Sequence, residues 1–279
     1  SRNSSATRVN PDYLIQDVSI LSSNLVQNGN FSELSSELIT NGNFDTDSNW
    51  SKGTGWNINN GKANCDGSQS GNANIYQAIS FSVGKTYKVT FNVSNYVSGT
   101  VKIVFGDTGG TVRSANGNYV QYFTFASGSN FYIQGNSSFV GSVDNVSVKQ
   151  VDPNDNWTLA ADWSFGTNEA VFKFVTSIRK ITQGGLTLNS GTNYIFKFKI
   201  QNVLSGTPNI WIGNSVGSIS YNGDYLNYAE GEHTFNFSPA SNQTSIGLFA
   251  RNSDFSITDI SVIEVQQTDI PRLDYTNGT

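Results

Sequence analysis

The feature that most constrains this chain is that it repeats itself. Residues 86–93 read Thr-Tyr-Lys-Val-Thr-Phe-Asn-Val, so that Tyr87, Val89, Phe91 and Val93 alternate with Lys88, Thr90 and Asn92, the period of a half-buried strand. Residues 193–200 repeat the alternation with Tyr194, Phe196, Phe198 and Ile200. The displacement, 194 − 87 = 107, also carries Trp50 to Trp157, Trp56 to Trp163, Gly84 to Gly191 and Ile103 to Ile210. Such agreement marks an internal duplication. Towards the end, Val143-Asp144-Asn145-Val146-Ser147-Val148 aligns with Ile257-Thr258-Asp259-Ile260-Ser261-Val262 at 257 − 143 = 114. The second copy therefore carries 114 − 107 = 7 further residues, placed at the Tyr- and Asn-rich stretch 220–228.

Each copy must consist of strands. Asn (35), Ser (37), Thr (23) and Gly (27) make up 122 of the 279 residues, and the strand-like runs are punctuated by Asn-Gly, Ser-Gly and Gly-Asn pairs. Charged residues are 13% of the chain, and no heptads or helix-length amphipathic runs occur. The expected class is all-β: two tandem antiparallel jelly-roll β-sandwiches with short extended terminal segments. The organisation expected is a leader over 1–37, a first sandwich over 38–151, a second over 152–266 and an extension over 267–279. No stretch is apolar enough to span a membrane. A net charge of −5 provides no basic stripe for a phosphate backbone, so nucleic acid is not an expected partner. The lone Cys65 makes no internal disulfide, and the chain reads as a segment of a longer polypeptide.

Two resemblances follow from particular residues. The order Leu38-Ile39-Thr40-Asn41-Gly42-Asn43-Phe44, Trp50, Gly55-Trp56, Tyr76-Gln77-Ala78-Ile79, Gly84-Lys85-Thr86-Tyr87 and Val143-Asp144-Asn145-Val146 resembles the carbohydrate-binding modules of families four, nine and twenty-two, which are jelly-roll β-sandwiches. The segments Arg2–Asn10, Leu14-Ile15 and Ile270–Tyr275 resemble parts of virion appendage proteins, tail or fibre, of tailed bacteriophages. The first resemblance implies a structural calcium ion in the first sandwich, carried over to Asp144 with Asn43 and Asp45; the second copy has Thr258 at the position of Asp144. No other cofactor is expected.

Residues present in both copies are read as architecture, including the paired tryptophans. Outward residues present in one copy are the candidates for binding. In the first copy these are Tyr76, Asn92, Tyr122, Tyr132 and Gln134, expected to form one aromatic and amide surface if their strands share a sheet. In the second they are Trp211, placed at the position of Val104, with Tyr221, Tyr225 and Tyr228 on the adjacent insertion. Aromatic rings suit the C–H faces of sugars and amides suit their hydroxyls, and subunit contacts use the same residue types. Catalysis is disfavoured: residues 38–151 contain neither Glu nor His, no carboxylate pair stands out, and the single His233 has no nucleophile motif beside it, so it is placed on the surface.

The leader carries an unassigned strand. Leu25-Val26-Gln27-Asn28-Gly29-Asn30-Phe31 repeats 13 residues later as Leu38-Ile39-Thr40-Asn41-Gly42-Asn43-Phe44, while the second copy has Val151-Asp152-Pro153-Asn154 where its own version should stand. The segment is either a leftover in an extended linker or the missing strand of the second sandwich or of a neighbouring subunit. The functional expectation is a non-enzymatic segment of a phage virion appendage, at the virion surface, adhering to host or environmental glycans. Its partners are glycans, other virion subunits or further copies of the full-length protein. The alternatives are a purely structural virion module and an accessory module of a polysaccharide-degrading enzyme.

Overall fold

The computed structural model describes residues 6–9 and 15–270, with side chains from 20 to 266. The terminal motifs, apart from their strand residues Ala6–Val9, Ile15 and Ile270, lie outside the described residues. The described chain is all strand and connection, and every strand pairing is antiparallel. Strands β1 (Ala6–Val9) and β2 (Ile15–Ile20) form a hairpin.

Residues 33–153 form one compact unit. Its strands are β3 (Ser51–Lys52), β4 (Trp56–Asn59), β5 (Lys62–Asp66), β6 (Ala73–Ala78), β7 (Thr86–Ser98), β8 (Val101–Phe105), β9 (Thr108–Gly109), β10 (Gly117–Thr124), β11 (Asn130–Gly135) and β12 (Val140–Gln150). They make two five-stranded sheets, ordered β10-β7-β12-β5-β4 and β3-β6-β11-β8-β9. The alternation of β7 puts Tyr87, Val89, Phe91 and Val93 into the core, where they meet Ile75, Ile103, Phe131 and Ile133 of the other sheet. Cys65 is buried in this core, and burial pushes its thiol up.

The second unit joins the residues up to 32 with those from 154 onward, so the first unit is inserted within its sequence. Its later strands are β13 (Thr158–Leu159), β14 (Trp163–Gly166), β15 (Glu169–Phe172), β16 (Arg179–Leu188), β17 (Asn193–Gly213), β18 (Leu226–Asn227), β19 (Gly231–Phe237) and β20 (Gln243–Ile270). One layer runs β19-β17-β20-β15-β14 and the other β13-β16-β20-β17-β18, the same two orders as in the first unit. The long β17 and β20 pass through both layers, with register shifts between Gln201 and Ser205 and between Gly206 and Asn209 where they turn. The first unit breaks the corresponding paths, into β7 and β8 and into β11 and β12. At the corner Gly206 has φ +70, and a Cβ there would stand 2.2 Å from the Asn252 carbonyl oxygen; Gly99 (φ +72) meets Ser138 in the same way, 107 residues earlier. β2 continues the sheet along the end of β20.

The segment 24–31 belongs to the second sandwich. Leu25 N–H donates to the Val262 carbonyl at 2.9 Å and Ile260 N–H to the Gly29 carbonyl at 3.0 Å. In the first sandwich Leu38 N–H donates to Val148 and Val146 N–H to Gly42. Val26 and Phe31 are buried, with the Phe31 ring 5.1 Å from Trp157, as Phe44 lies 5.0 Å from Trp50. The Trp157 indole N–H donates to the Asn28 carbonyl and that of Trp50 to the Asn41 carbonyl, both at 3.0 Å. Burying a Val and a Phe contributes roughly 1.5–3 kcal/mol each, a large part of the stability of a domain this size.

Candidate functional site

The inner faces of the two sandwiches correspond residue by residue, and the outer faces do not. Gln77 on β6 pairs with Phe131, and Gln183 on β16 pairs with Ile246; each glutamine is buried and holds the backbone of an extended segment packed on its sandwich, at Thr40 in the first and Gln27 in the second. Registering the copies on these glutamines sets Ile133 against Leu248, and hence Ile103 against Ile212. Trp211 thus takes the place of Lys102, not of Val104, because the corner of β17 absorbs two residues that the 107-residue displacement leaves out. Across three neighbouring strands the outward row is Asn74, Gln134 and Lys102 in the first sandwich, and Lys180, Phe249 and Trp211 in the second.

In the first sandwich the expected single surface is divided. Tyr122 and Asn92 sit on β10 and β7, whereas Tyr76, Tyr132 and Gln134 sit on β6 and β11 of the opposite sheet. The chain changes sheets after β10, with Phe125 buried and Gly128 at φ +101 in the connection. On the second of these faces Tyr76 and Tyr132 are cross-strand partners with ring centroids 5.3 Å apart. The Asn130 amide donates to the Tyr132 hydroxyl at 2.7 Å, and Gln134 donates to Asn74 at 3.0 Å. Beside this face Asn72, Asn74, Thr54 and Tyr76 line a shallow depression. Asn92 on the other sheet is held by its cross-strand partner Asn118 at 2.7 Å.

In the second sandwich the insertion does not close over Trp211 as a unit. Tyr221 turns inward: it is 7% exposed, stacks on Phe237 at 4.6 Å and donates its hydroxyl to the Ser245 carbonyl at 3.0 Å. Burial pushes its hydroxyl up to about 12. Its place as a surface ligand is corrected, since the insertion folds its first tyrosine into the core. Tyr228 is half-buried, edge-on to Phe198 at 5.1 Å, with its hydroxyl accepting from Asn222. His233 is half-buried as well, against the Phe198 and Tyr228 rings, and Nε2 lies 2.8 Å from the Ala229 carbonyl oxygen. Tyr225 alone joins the outer face, over the guanidinium of Arg251 at 4.3 Å. Trp211 is half-buried, edge-to-face with Phe249 at 4.8 Å and lying along Gly213.

Sequence reasoning missed Phe249, Arg251 and Lys180. The alternation of Ile246, Leu248 and Ala250 does carry the signal for the first two, since it sets Phe249 and Arg251 on the outer phase, although Phe249 is covered there and buried, with Gly217 against its ring. Asn43 Nδ2 donates to Asp45 within a local turn, and Asp144 accepts the Asn145 N–H at 2.6 Å. Among the described residues no three His, Cys, Asp or Glu side chains gather into a group that could hold a metal ion.

No family model and no curated protein matches the sequence. Solved structures with some similarity include allantoicase from Saccharomyces cerevisiae, at 8% identity over 86% of this chain and 92% of that chain, TM-score 0.33. Another allantoicase structure has 9% identity over 73% and 80%, TM-score 0.30. A truncated AlyQ with CBM32 and alginate lyase domains has 10% identity over 76% and 92%, TM-score 0.24. Among the described residues no helix is long and apolar enough to cross a membrane.

Proposed function

We propose that this chain is a non-catalytic carbohydrate-binding segment that adheres to glycans from the surface of a phage virion. The observation that carries the reading is the contrast between faces. The duplication keeps its inner residues and replaces its outer ones with half-buried aromatic and amide groups, in places where stability alone asks only for polar residues. Trp211, packed edge-to-face on the buried Phe249, and Tyr76 with Tyr132 offer rings to sugar C–H faces, while Asn74, Asn130 and Gln134 offer amides to hydroxyls. The phage setting rests on the terminal motifs, and repetition on a particle would make weak sites effective by avidity.

A glycan array with the purified chain, Trp211→Ala and Tyr132→Ala tests the proposal. Binding by the chain that one of the variants loses while still melting normally supports it. Absence of binding to any glycan favours subunit contact instead, a role that exposed Leu204 and Val216 on the second sandwich would also serve. The third reading, an accessory module of a polysaccharide-degrading enzyme, shares the binding result and is decided by the domains of the parent protein.

A further inference from the structure

The outer face of the second sandwich combines aromatic rings with two cations that form no ion pair among the described residues. Lys180, Phe249 and Trp211 stand side by side on β16, β20 and β17, and Arg251 follows Phe249 on the same outward phase. The Arg251 Nε donates to Asn209 Oδ1 at 2.8 Å and its guanidinium lies against Tyr225, which fixes the group and leaves its other N–H donors without a partner among the described residues. Lys180 Nζ stands 5.6 Å from the Phe249 ring centroid and donates to the Ser215 carbonyl at 2.8 Å. Neither cation is in an ion pair among the described residues, unlike Lys52 with Asp47 and Arg179 with Asp162. The nearby Asp224 accepts the Tyr225 N–H at 2.7 Å. In a chain of net charge −5 this is a local positive site beside the half-buried rings of Trp211 and Tyr225.

We infer that this face selects an acidic glycan, a polysaccharide of uronate residues. The inference rests on the carbohydrate reading of the Trp211 face and names its ligand class. A pyranose ring stacks on Trp211 through its C–H groups, while the carboxylate takes the planar donors of Arg251, a match of geometry as well as charge. Lys180, at the other side of Phe249, supplies a point charge to the next sugar. Neutral sugars accept hydrogen bonds from these groups through their hydroxyls but bring no charge to pair with either cation.

Isothermal titration of the whole chain with hexamers of galacturonate and of mannuronate, each beside its methyl ester, tests this. The acids should bind tighter than their esters by roughly tenfold or more, and the advantage should shrink as salt is raised. Arg251→Gln should remove the advantage with little change in melting temperature; Lys180→Gln gives a second variant should the first fold poorly. Equal binding of acid and ester, or an advantage that survives both substitutions, overturns the acidic selectivity and leaves the carbohydrate reading standing. Failure of the uronates alongside binding of neutral glycans on the array overturns it in the same way. Failure of every glycan overturns both.

Discussion

Gln183 grips the backbone of Gln27 with both ends of its amide: Oε1 accepts the Gln27 N–H at 2.7 Å and Nε2 donates to the Gln27 carbonyl at 2.8 Å. The two residues are 156 positions apart, separated by an entire sandwich, and Gln183 is 2% exposed. Gln77 holds Thr40 by the same two-ended contact in the first sandwich. Gln183→Ala leaves the part-buried Gln27 N–H without its partner and the Gln27 carbonyl with only the Trp157 indole N–H, at about 1–3 kcal/mol for the lost contacts. The second sandwich should then melt roughly 5–10 °C lower and the first at its ordinary temperature, seen as the shift of one calorimetric transition.

Removing residues 1–31 takes Val26 and Phe31 out of the second core and exposes the edge of β20 near Val262. Calorimetry should show the transition of the second sandwich lost or strongly lowered and that of residues 33–153 retained. A peptide spanning residues 20–34, added in trans, should restore part of it by strand addition. Two unchanged transitions would mean that the segment is dispensable.

Gly29 and Gly42 make a matched pair of probes. A Cβ on Gly29 would meet the Ile260 carbonyl oxygen at 1.9 Å, and one on Gly42 the Val146 carbonyl oxygen at 2.0 Å. Backbone cannot swing aside as a side chain can, so each alanine should cost about 1–3 kcal/mol or more. Denaturant titration should find Gly29→Ala lowering the second sandwich alone and Gly42→Ala the first alone.

Tyr221 sets an alkaline limit. Its hydroxyl is raised by burial to about 12, against about 10 in the unfolded chain. Between these values the unfolded state has lost a proton that the folded state keeps, so stability falls as pH rises. The contribution is fully present below pH 10 and is lost towards pH 12, on the order of 2–3 kcal/mol. In urea melts across that window Tyr221→Phe should show a shallower decline than the parent chain.

The inner architecture was legible because alternation is read directly from the chain: Tyr87, Val89, Phe91 and Val93 and their counterparts Tyr194, Phe196, Phe198 and Ile200 are buried. The repeat of 25–31 at 38–44 signalled a structural segment without saying which sandwich takes it, since pairing between distant segments leaves no local trace; in both copies it docks as an irregular segment through a few backbone hydrogen bonds. The outer faces were harder to read. Alternation turned Tyr122 and Tyr132 outward, but sheet membership depends on a crossover at Phe125–Gly128 that no periodicity reports. Tyr221 went inward because an insertion has no strand phase from which to tell core from surface. Arg251 escaped notice because its meaning lies in the Tyr225 ring and the Asn209 amide beside it.

Tryptophan fluorescence tests the central claim most directly. Trp50, Trp56, Trp157 and Trp163 are 5–7% exposed, which leaves Trp211 as the one tryptophan open to a quencher. Acrylamide should quench a fraction of the emission that is absent from Trp211→Ala, and a bound glycan should protect that fraction. A glycan that binds the chain while acrylamide reaches Trp211 as before, and whose binding survives Tyr132→Ala, would place the binding site on neither face and contradict the account.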